Sequence, residues 1–186
     1  MIQKIYRTTI NQVHKYTLLK FSGLILLVLF FFIFQSVRWS GENGALKAHN
    51  KFIDYFSERR LGKCSNMISE LYSDQWKFND EEISLALRDL AKYFFLSFEV
   101  NWEEYSIRCS EDSYLITGTL KIEGSGNQVT DFIMKEMRKY QNLPFTFNWS
   151  KSGMTPWSWE ITKIEHPTLS VPNGYIPGKT LNSLRW

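Results

Sequence analysis

The sequence of 186 residues has few of the residues that build a metal centre or a disulfide-rich scaffold. It contains two cysteines and three histidines, and only His49 and His166 lie beyond the first 20 residues. No C-x-x-C or H-E-x-x-H pair and no acidic calcium loop occurs, so clustered metal ligands are missing. We therefore predict no metal site and no cofactor, and we expect an apolar core to stabilise the folded part.

Motifs for binding phosphate groups or nucleic acid are also missing. The Gly-Ser-Gly sequence at 124–126 has neither the P-loop nor the dinucleotide-binding residues around it. The net charge is +3, but residues 1–43 hold five basic residues and one acidic residue, and the rest is nearly balanced. Lys135, Arg138 and Lys139 form only a small basic face, whereas nucleic-acid binding needs concentrated cations near aromatic residues. We predict no nucleic-acid binding.

A long apolar run is the clearest positive signal. Residues 21–37 carry no charge and lie between Lys20 and Arg38, and they span about 26 Å as a helix. Lys20 can extend its ammonium group to the headgroups, which adds residues 18 and 19 to the span. The run is longer than the apolar core of a signal peptide, and no small-residue cleavage site follows it. We predict a transmembrane helix over residues 18–38 that contacts membrane lipid.

The charges beside this run predict its orientation. Four basic residues precede the span, whereas only Arg38 and Lys47 lie close behind it. The sequence thus predicts a cytoplasmic tail over residues 1–17 and an extracytoplasmic domain, which is periplasmic or extracellular. Serine and glycine residues in the segment 39–44 predict a flexible linker between membrane and domain.

The chain after the linker begins with helical patterns. Apolar residues recur at helical spacing from Ala45, and a shorter second helix is predicted to begin near Ser65 and to present Tyr72. Asn79 and Glu82 have the spacing of a capping box, which predicts the start of a third helix. Three helices therefore precede the first predicted strand.

Alternating patterns follow and predict a sheet of about four strands. The predicted strands are 98–109, 114–122, 145–152 and 157–165. A one-residue slip in the alternation between Trp102 and Tyr105 predicts a β-bulge, which curves the first strand. Residues 128–141 have helical spacing, and we favour a helix there, between two strands.

Three helices followed by a curved antiparallel sheet form an α+β fold with the helices on one face of the sheet. This order resembles the nuclear transport factor 2-like (cystatin-like cone) fold. FIDYFSERRLGKCSNMISELYSDQW at 52–76 resembles the first two helices of that family, and FTFNWSKSGMTPWSWEITKIE at 145–165 resembles its closing hairpin. The resemblance covers roughly residues 45–166, and the helix at 128–141 departs from its plainest form. We predict a domain over residues 45–170 and a loose tail over 171–186.

The resemblance directs attention to His49, because enzymes of this fold place a histidine with an aspartate, or tyrosines, inside the cone. Asp54 or Asp89 would supply the carboxylate for such a pair. His49 stands beside Asn50 and Lys51 near the start of a helix, however, and a solvated helix face is the favoured explanation.

Four tryptophans are the other candidates for a binding site. Trp102, Trp149, Trp157 and Trp159 either line a pocket or an interface, where indoles contribute much of the binding energy, or fill the core of the sheet. The regular alternation of Trp157 and Trp159 favours the core.

Cys64 and Cys109 are predicted to lie in a compartment where disulfides persist. In the fold that this chain resembles, their positions can approach each other, and a bridge would close a loop of about 45 residues. The alternative is two buried thiols that act as small apolar side chains.

Two functions remain open at this stage. The leading hypothesis is a membrane-anchored, non-catalytic binding or assembly module that acts through a protein partner or through self-association. Its layout of tail, single span and domain resembles the inner-membrane assembly factors of type IV secretion systems. The alternative is a small-molecule enzyme or ligand carrier with a cone-shaped aromatic pocket.

Overall fold

The computed structural model describes residues 22–111, 113–153, 155–171 and 174–179, so the predicted cytoplasmic tail lies outside the described residues. The elements are α1 Ser22–Arg38, α2 Gly41–Ser57, α3 Leu61–Ser65, α4 Asp80–Tyr93, β1 Ser97–Ser110, β2 Ser113–Ser125, α5 Gln128–Tyr140, β3 Phe145–Lys151 and β4 Trp159–Glu165. The four strands form one antiparallel sheet in the order β1-β2-β3-β4, and helices pack against it.

Helix α1 contains most of the predicted transmembrane span. Its large apolar side chains are exposed, and Leu27 and Phe30 expose 68% and 69% of their surface. Within the described part of the chain, no helix taken alone has the length and apolar composition that crossing a membrane requires. Helices α1 and α2 meet that requirement only as a pair, which is bent by 83° at the break between them.

The predicted linker over residues 39–44 is shorter than expected. Helix α2 begins at Gly41, which has a φ of 57°, a backbone conformation that suits glycine. The break between the two helices is therefore confined to Trp39 and Ser40. The prediction was wrong for residues 41–44 because a serine–glycine segment also suits a helix start.

The second predicted helix was also placed incorrectly. Helix α3 ends at Ser65, and the residues after it pair with β4 instead of continuing a helix. The backbone N–H of Ser69 donates to the Ile161 carbonyl over 2.9 Å, and the Ile161 N–H donates to the Met67 carbonyl over 2.8 Å. This pairing with a distant strand satisfies the backbone groups that a helix would otherwise use.

The other two domain helices agree with the sequence. At the start of α4, the Glu82 N–H donates to Asn79 and the Glu82 carboxylate accepts from the Asn79 N–H, which confirms the capping box. The helix predicted at 128–141 is α5, and Asn127 and Thr130 form a second capping box at its start.

The sheet is an antiparallel meander, and its predicted bulge is present. The pairing of β1 with β2 shifts between Glu104 and Ser106, where such a shift bends a strand. Strand β3 pairs with β2 only over Ser113–Gly118, and α5 contacts β2 as well. The sheet, α2, α4 and α5 together enclose the space described next.

Candidate ligand-binding cavity

A cavity of about 500 Å³ lies between the helices and the sheet. Its walls come from α2, α4, α5, β2, β3 and β4, and from the chain before α4 and after β4. Representative side chains are Phe52 from α2, Leu87 from α4, Leu120 from β2, Ile133 from α5 and Phe147 from β3. Nearly all of the lining is aliphatic or aromatic, so the cavity can surround an apolar molecule.

Alternation along β2 explains why this side of the sheet is apolar. Ile116, Leu120 and Ile122 are buried on one face, whereas Lys121 and Glu123, which follow Leu120 and Ile122, are exposed on the other. Successive side chains of a strand point to opposite faces. Helix α5 then contributes Val129, Ile133 and Tyr140, among others, to the opposite wall of the cavity.

The two carboxylates in the lining already have partners. The Asp89 carboxylate accepts from the Tyr175 hydroxyl over 2.9 Å and from the Gly178 N–H over 2.8 Å. Burial and the nearby Asp89 raise the pKa of Tyr175, so the phenol keeps its proton at neutral pH. The Glu136 carboxylate accepts from the Lys139 ammonium over 2.6 Å. Both carboxylates of the lining are therefore engaged in hydrogen bonds within the protein.

The chain after β4 closes one side of the cavity. The Trp76 indole donates to the Leu169 carbonyl over 2.8 Å, and the Leu169 N–H donates to Nδ1 of His166 over 2.8 Å. Part of the tail predicted to be loose over 171–186 is thus held in place, because Tyr175 and Gly178 bond Asp89 on α4.

His49 lies in the core rather than on a solvated helix face, so the favoured explanation was wrong. Its exposed fraction is 0%, and the Trp149 indole donates to its Nδ1 over 3.3 Å. Its ring centroid lies 4.4 Å from that of Trp102 and 4.9 Å from that of Phe147. Burial lowers its pKa from 6.5 to about 3, so His49 is neutral at physiological pH.

The sequence held a signal for this burial. His49 follows Ala45 by four residues and precedes Phe52 and Ile53 by three and four, which is the spacing of one helix face. All four residues are buried. The polar neighbours Asn50 and Lys51 belong to other faces of α2, and reading them as the environment of His49 produced the error.

The His–Asp pair that the resemblance to enzymes of this fold raised is not formed. His49 does not line the cavity, and its ring contacts are Trp102, Phe147 and Trp149. Asp54 is exposed, and Asp89 is bonded to the C-terminal segment. The histidine and both aspartates therefore have separate surroundings.

None of the four candidate tryptophans lines the cavity. Trp102 and Trp149 surround His49, and Trp159 is 5% exposed and donates to the Trp39 carbonyl over 3.2 Å. Trp157 lies outside β4 in the turn before it and is 43% exposed, which corrects its predicted place in the core.

A tryptophan outside the predicted set does line the cavity. Trp76 ends the segment that resembles the family's first two helices, and its indole is held by the Leu169 carbonyl. No periodic pattern marks this position, because residues 73–79 belong to no helix or strand.

The bridge considered between Cys64 and Cys109 is not present. Both cysteines are free: Cys64 is fully buried in α3, and Cys109 is exposed near the end of β1. Burial raises the pKa of the Cys64 thiol to about 12, so it is a small apolar side chain in the core. Over the described residues, no group of three or more histidine, cysteine, aspartate or glutamate side chains has an arrangement that could hold a metal ion.

Comparison with known proteins identifies the fold. The chain superposes on Bd1075 from Bdellovibrio bacteriovorus with a TM-score of 0.50 and 15% identity, covering 69% of this chain and 41% of that protein. It superposes on an NTF2-like protein from Cytophaga hutchinsonii with a TM-score of 0.50 and 9% identity, covering 70% of this chain and 99% of the other. A protein of unknown function with a cystatin-like fold from Nostoc punctiforme has a TM-score of 0.45 and 9% identity, covering 65% of this chain and 85% of that one.

No protein-family model matches the chain, and no curated protein matches it at a significant level. The chain spans less than half the length of the Bdellovibrio protein. Identities of 15% or less establish a shared fold and leave activity open. The domain predicted from the sequence therefore has the NTF2-like α+β fold.

Proposed function

We propose that this protein is a membrane-anchored, extracytoplasmic binding module that holds an apolar small molecule in its cavity without catalysing a reaction. The cavity of about 500 Å³ carries this proposal. Sites for small molecules typically measure about 300–1,000 Å³. Transfer of an apolar ligand from water into such a space gains about 25 cal/mol for each Å² of buried apolar surface.

The size of the cavity favours a ligand over a purely structural role. Protein interiors are packed as densely as organic crystals, and empty apolar space lowers stability because its lining loses contacts. A domain that needed only stability would fill this space with larger side chains. The partly exposed linings Ile133 and Met137 on α5 and Leu87 on α4 would be suitable positions.

The polar groups of the cavity favour binding over catalysis. A general acid or base must have a proton or a lone pair available to the substrate. Asp89 accepts hydrogen bonds from Tyr175 and Gly178, and Glu136 accepts one from Lys139. His49 is a core residue outside the lining. The described lining thus supplies shape and apolar surface rather than an acid–base pair.

The anchor is supported by the apolar run and by the surface of α1. Its large apolar side chains, from Leu24 to Val37, expose between 46% and 71% of their surface. Contact of this apolar surface with water is unfavourable, whereas contact with lipid chains is not. The basic residues before the span favour a cytoplasmic N-terminus. Alkaline phosphatase fused after residue 186 is expected to be active in cells, and an inactive, well-expressed fusion would contradict this orientation.

Ligand binding is tested with the full chain in phosphatidylcholine nanodiscs and the apolar fluorophore N-phenyl-1-naphthylamine. Empty nanodiscs correct for partition of the fluorophore into lipid. Ile133→Trp places an indole in the cavity, whereas Lys135→Trp adds the same side chain to α5 at an exposed position outside the lining. We expect saturable emission from the wild type and Lys135→Trp, and at least a tenfold weaker affinity for Ile133→Trp.

Equal binding by the two variants would contradict the proposal, as would wild-type emission no higher than that of empty nanodiscs. Circular dichroism and the melting temperature verify that Ile133→Trp folds. Leu87→Trp fills the cavity from α4 and repeats the test if the α5 variant is unstable.

A further inference from the structure

The turn between β3 and β4 lies against the apolar helix α1. Trp157 in this turn stacks on Phe32, with ring centroids 6.4 Å apart and planes inclined by 24°. Phe32 precedes Arg38, the first charged residue after the apolar run, by six residues. Six residues of helix correspond to about 9 Å along its axis. The Trp157 ring is therefore at the level of the apolar run, on the hydrophobic side of Arg38.

We infer that residues 152, 153 and 155–158, which we call the β3–β4 turn, enter the membrane surface and that Trp157 binds phospholipid beside the anchor. This inference rests on the proposed membrane anchor, because it fixes the depth of the turn by the depth of Phe32. It is independent of the cavity and of what the cavity binds.

The composition of the β3–β4 turn suits this environment. Its sequence, SGMTPWS, contains no charged residue, and Lys151 before it is exposed. Trp157 exposes 43% of its surface, and an indole favours the membrane interface because its ring is apolar and its N–H is polar. A lysine at the edge of such a surface can reach anionic headgroups.

Backbone hydrogen bonds fix the turn. The Ser152 N–H donates to the Ser158 carbonyl over 2.9 Å, and the Ser158 N–H donates to the Thr155 carbonyl over 3.1 Å. Gly153 has a φ of 65°, which the bend requires and which suits glycine. Trp157 is thus presented on a defined turn rather than on a long loop.

Contacts around the break between α1 and α2 hold the domain in a fixed position relative to the end of α1. The Trp159 indole donates to the Trp39 carbonyl over 3.2 Å, and the Lys47 ammonium donates to the Arg38 carbonyl over 2.8 Å. Helix α2 leaves α1 at 83°, so it runs nearly parallel to the surface of a membrane that α1 crosses. Both the start of α2 and the start of β4 are therefore tied to the end of the span.

The test uses the full chain in nanodiscs of phosphatidylcholine and phosphatidylglycerol, with an environment-sensitive NBD label on single cysteines. Cys109→Ser removes the exposed thiol, and Cys64 stays unlabelled because it is buried. Labels are placed by Trp157→Cys in the turn, Val28→Cys in the anchor and Gln128→Cys at the exposed start of α5. Phospholipids with a nitroxide on the acyl chain quench labels that enter the hydrocarbon region.

The position of Gln128 makes it a suitable control. It follows the far end of β2, whose first residue Ser113 pairs with Ser150 close to the turn. A strand of 13 residues is about 40 Å long, so Gln128 lies far from Phe32 and from the β3–β4 turn. We expect the labels at 28 and 157 to lose at least half of their emission and the label at 128 to lose little.

A label at 157 that keeps its emission while the label at 28 is quenched would overturn the inference and leave the anchor intact. Absence of quenching at both positions would overturn the inference together with the anchor. A label at Thr155→Cys is expected to be quenched as well. Because this variant retains Trp157, it shows whether the turn enters the membrane when the indole is present. Binding of N-phenyl-1-naphthylamine in the cavity is measured separately, so failure of either proposal can be recognised.

Discussion

Lowering the pH from 8 to 5 is expected to destabilise the folded domain through His49. Its pKa is about 3 in the folded protein, because burial disfavours the charged ring, against 6.5 for an exposed histidine. Between these values the unfolded chain binds a proton at His49 and the folded chain does not. Stability is therefore highest above pH 6.5 and falls as the pH decreases toward 3.

The magnitude follows from the difference between the two pKa values. One unit corresponds to about 1.36 kcal/mol, and the part lost between pH 8 and pH 5 amounts to about 2 kcal/mol for this single group. Model carboxyl groups titrate near pH 4, so this window is dominated by histidine. The ring neighbours Trp102, Phe147 and Trp149 carry no charge that would compensate a proton on His49.

The assay is urea unfolding of the full chain in dodecylmaltoside micelles, followed by tryptophan fluorescence at pH 8 and pH 5. His49→Gln keeps an acceptor for the Trp149 indole but removes the group that binds the proton. We expect this variant to lose about 2 kcal/mol less than the wild type between the two pH values. His166→Gln replaces the other buried histidine and should retain the contribution of His49.

Equal losses for the wild type and His49→Gln, within the error of the extrapolation, would refute this reasoning. They would mean that the folded protein can protonate His49, either by admitting water or by opening α2 from the sheet. A lower stability of His49→Gln at both pH values would not affect the conclusion, since only the difference between pH values is compared.

Three further predictions use matched positions. Gly118→Ala should lower the free energy of unfolding by about 1–3 kcal/mol, because its Cβ would lie 2.6 Å from the Trp102 ring. Gly62→Ala is the control, since no atom lies within 4 Å of its Cβ, and it should be neutral or slightly stabilising. Urea unfolding measures both. Under native conditions a thiol reagent should modify Cys109 rapidly and Cys64 only after unfolding, and recovery of fewer than two thiols without reductant would show a bridge. Tyr175→Phe removes the bond to Asp89 and should increase hydrogen exchange in residues 169–171, whereas unchanged exchange would show that this bond does not hold the C-terminal segment.

Local patterns in the sequence determined most of the secondary structure. The capping box of Asn79 and Glu82 predicted the start of α4, and the slip in alternation after Trp102 predicted the bulge in β1. The helical spacing at 128–141 predicted α5. These features depend on residues one to four positions apart, so their physical causes are present in the sequence itself.

Tertiary structure alone decided the features that depend on distant residues. Ile68 was predicted to be helical but pairs with Ile161, 93 positions later. Trp157 was predicted to begin the last strand but lies in the turn before it, where its ring stacks on Phe32. The helical spacing of His49 was readable, but its contact with Trp149, 100 positions away, was not.

The cavity is the clearest example of this limit. Its walls come from six helices and strands and from the C-terminal segment, and each wall is apolar in the same way as a filled core. Hydrophobic periodicity shows which face of an element is buried, but not how far apart two buried faces lie. The sequence therefore predicted an apolar interior with the correct fold, and only the packing of α5 and the C-terminal segment against the sheet decided that part of it is open.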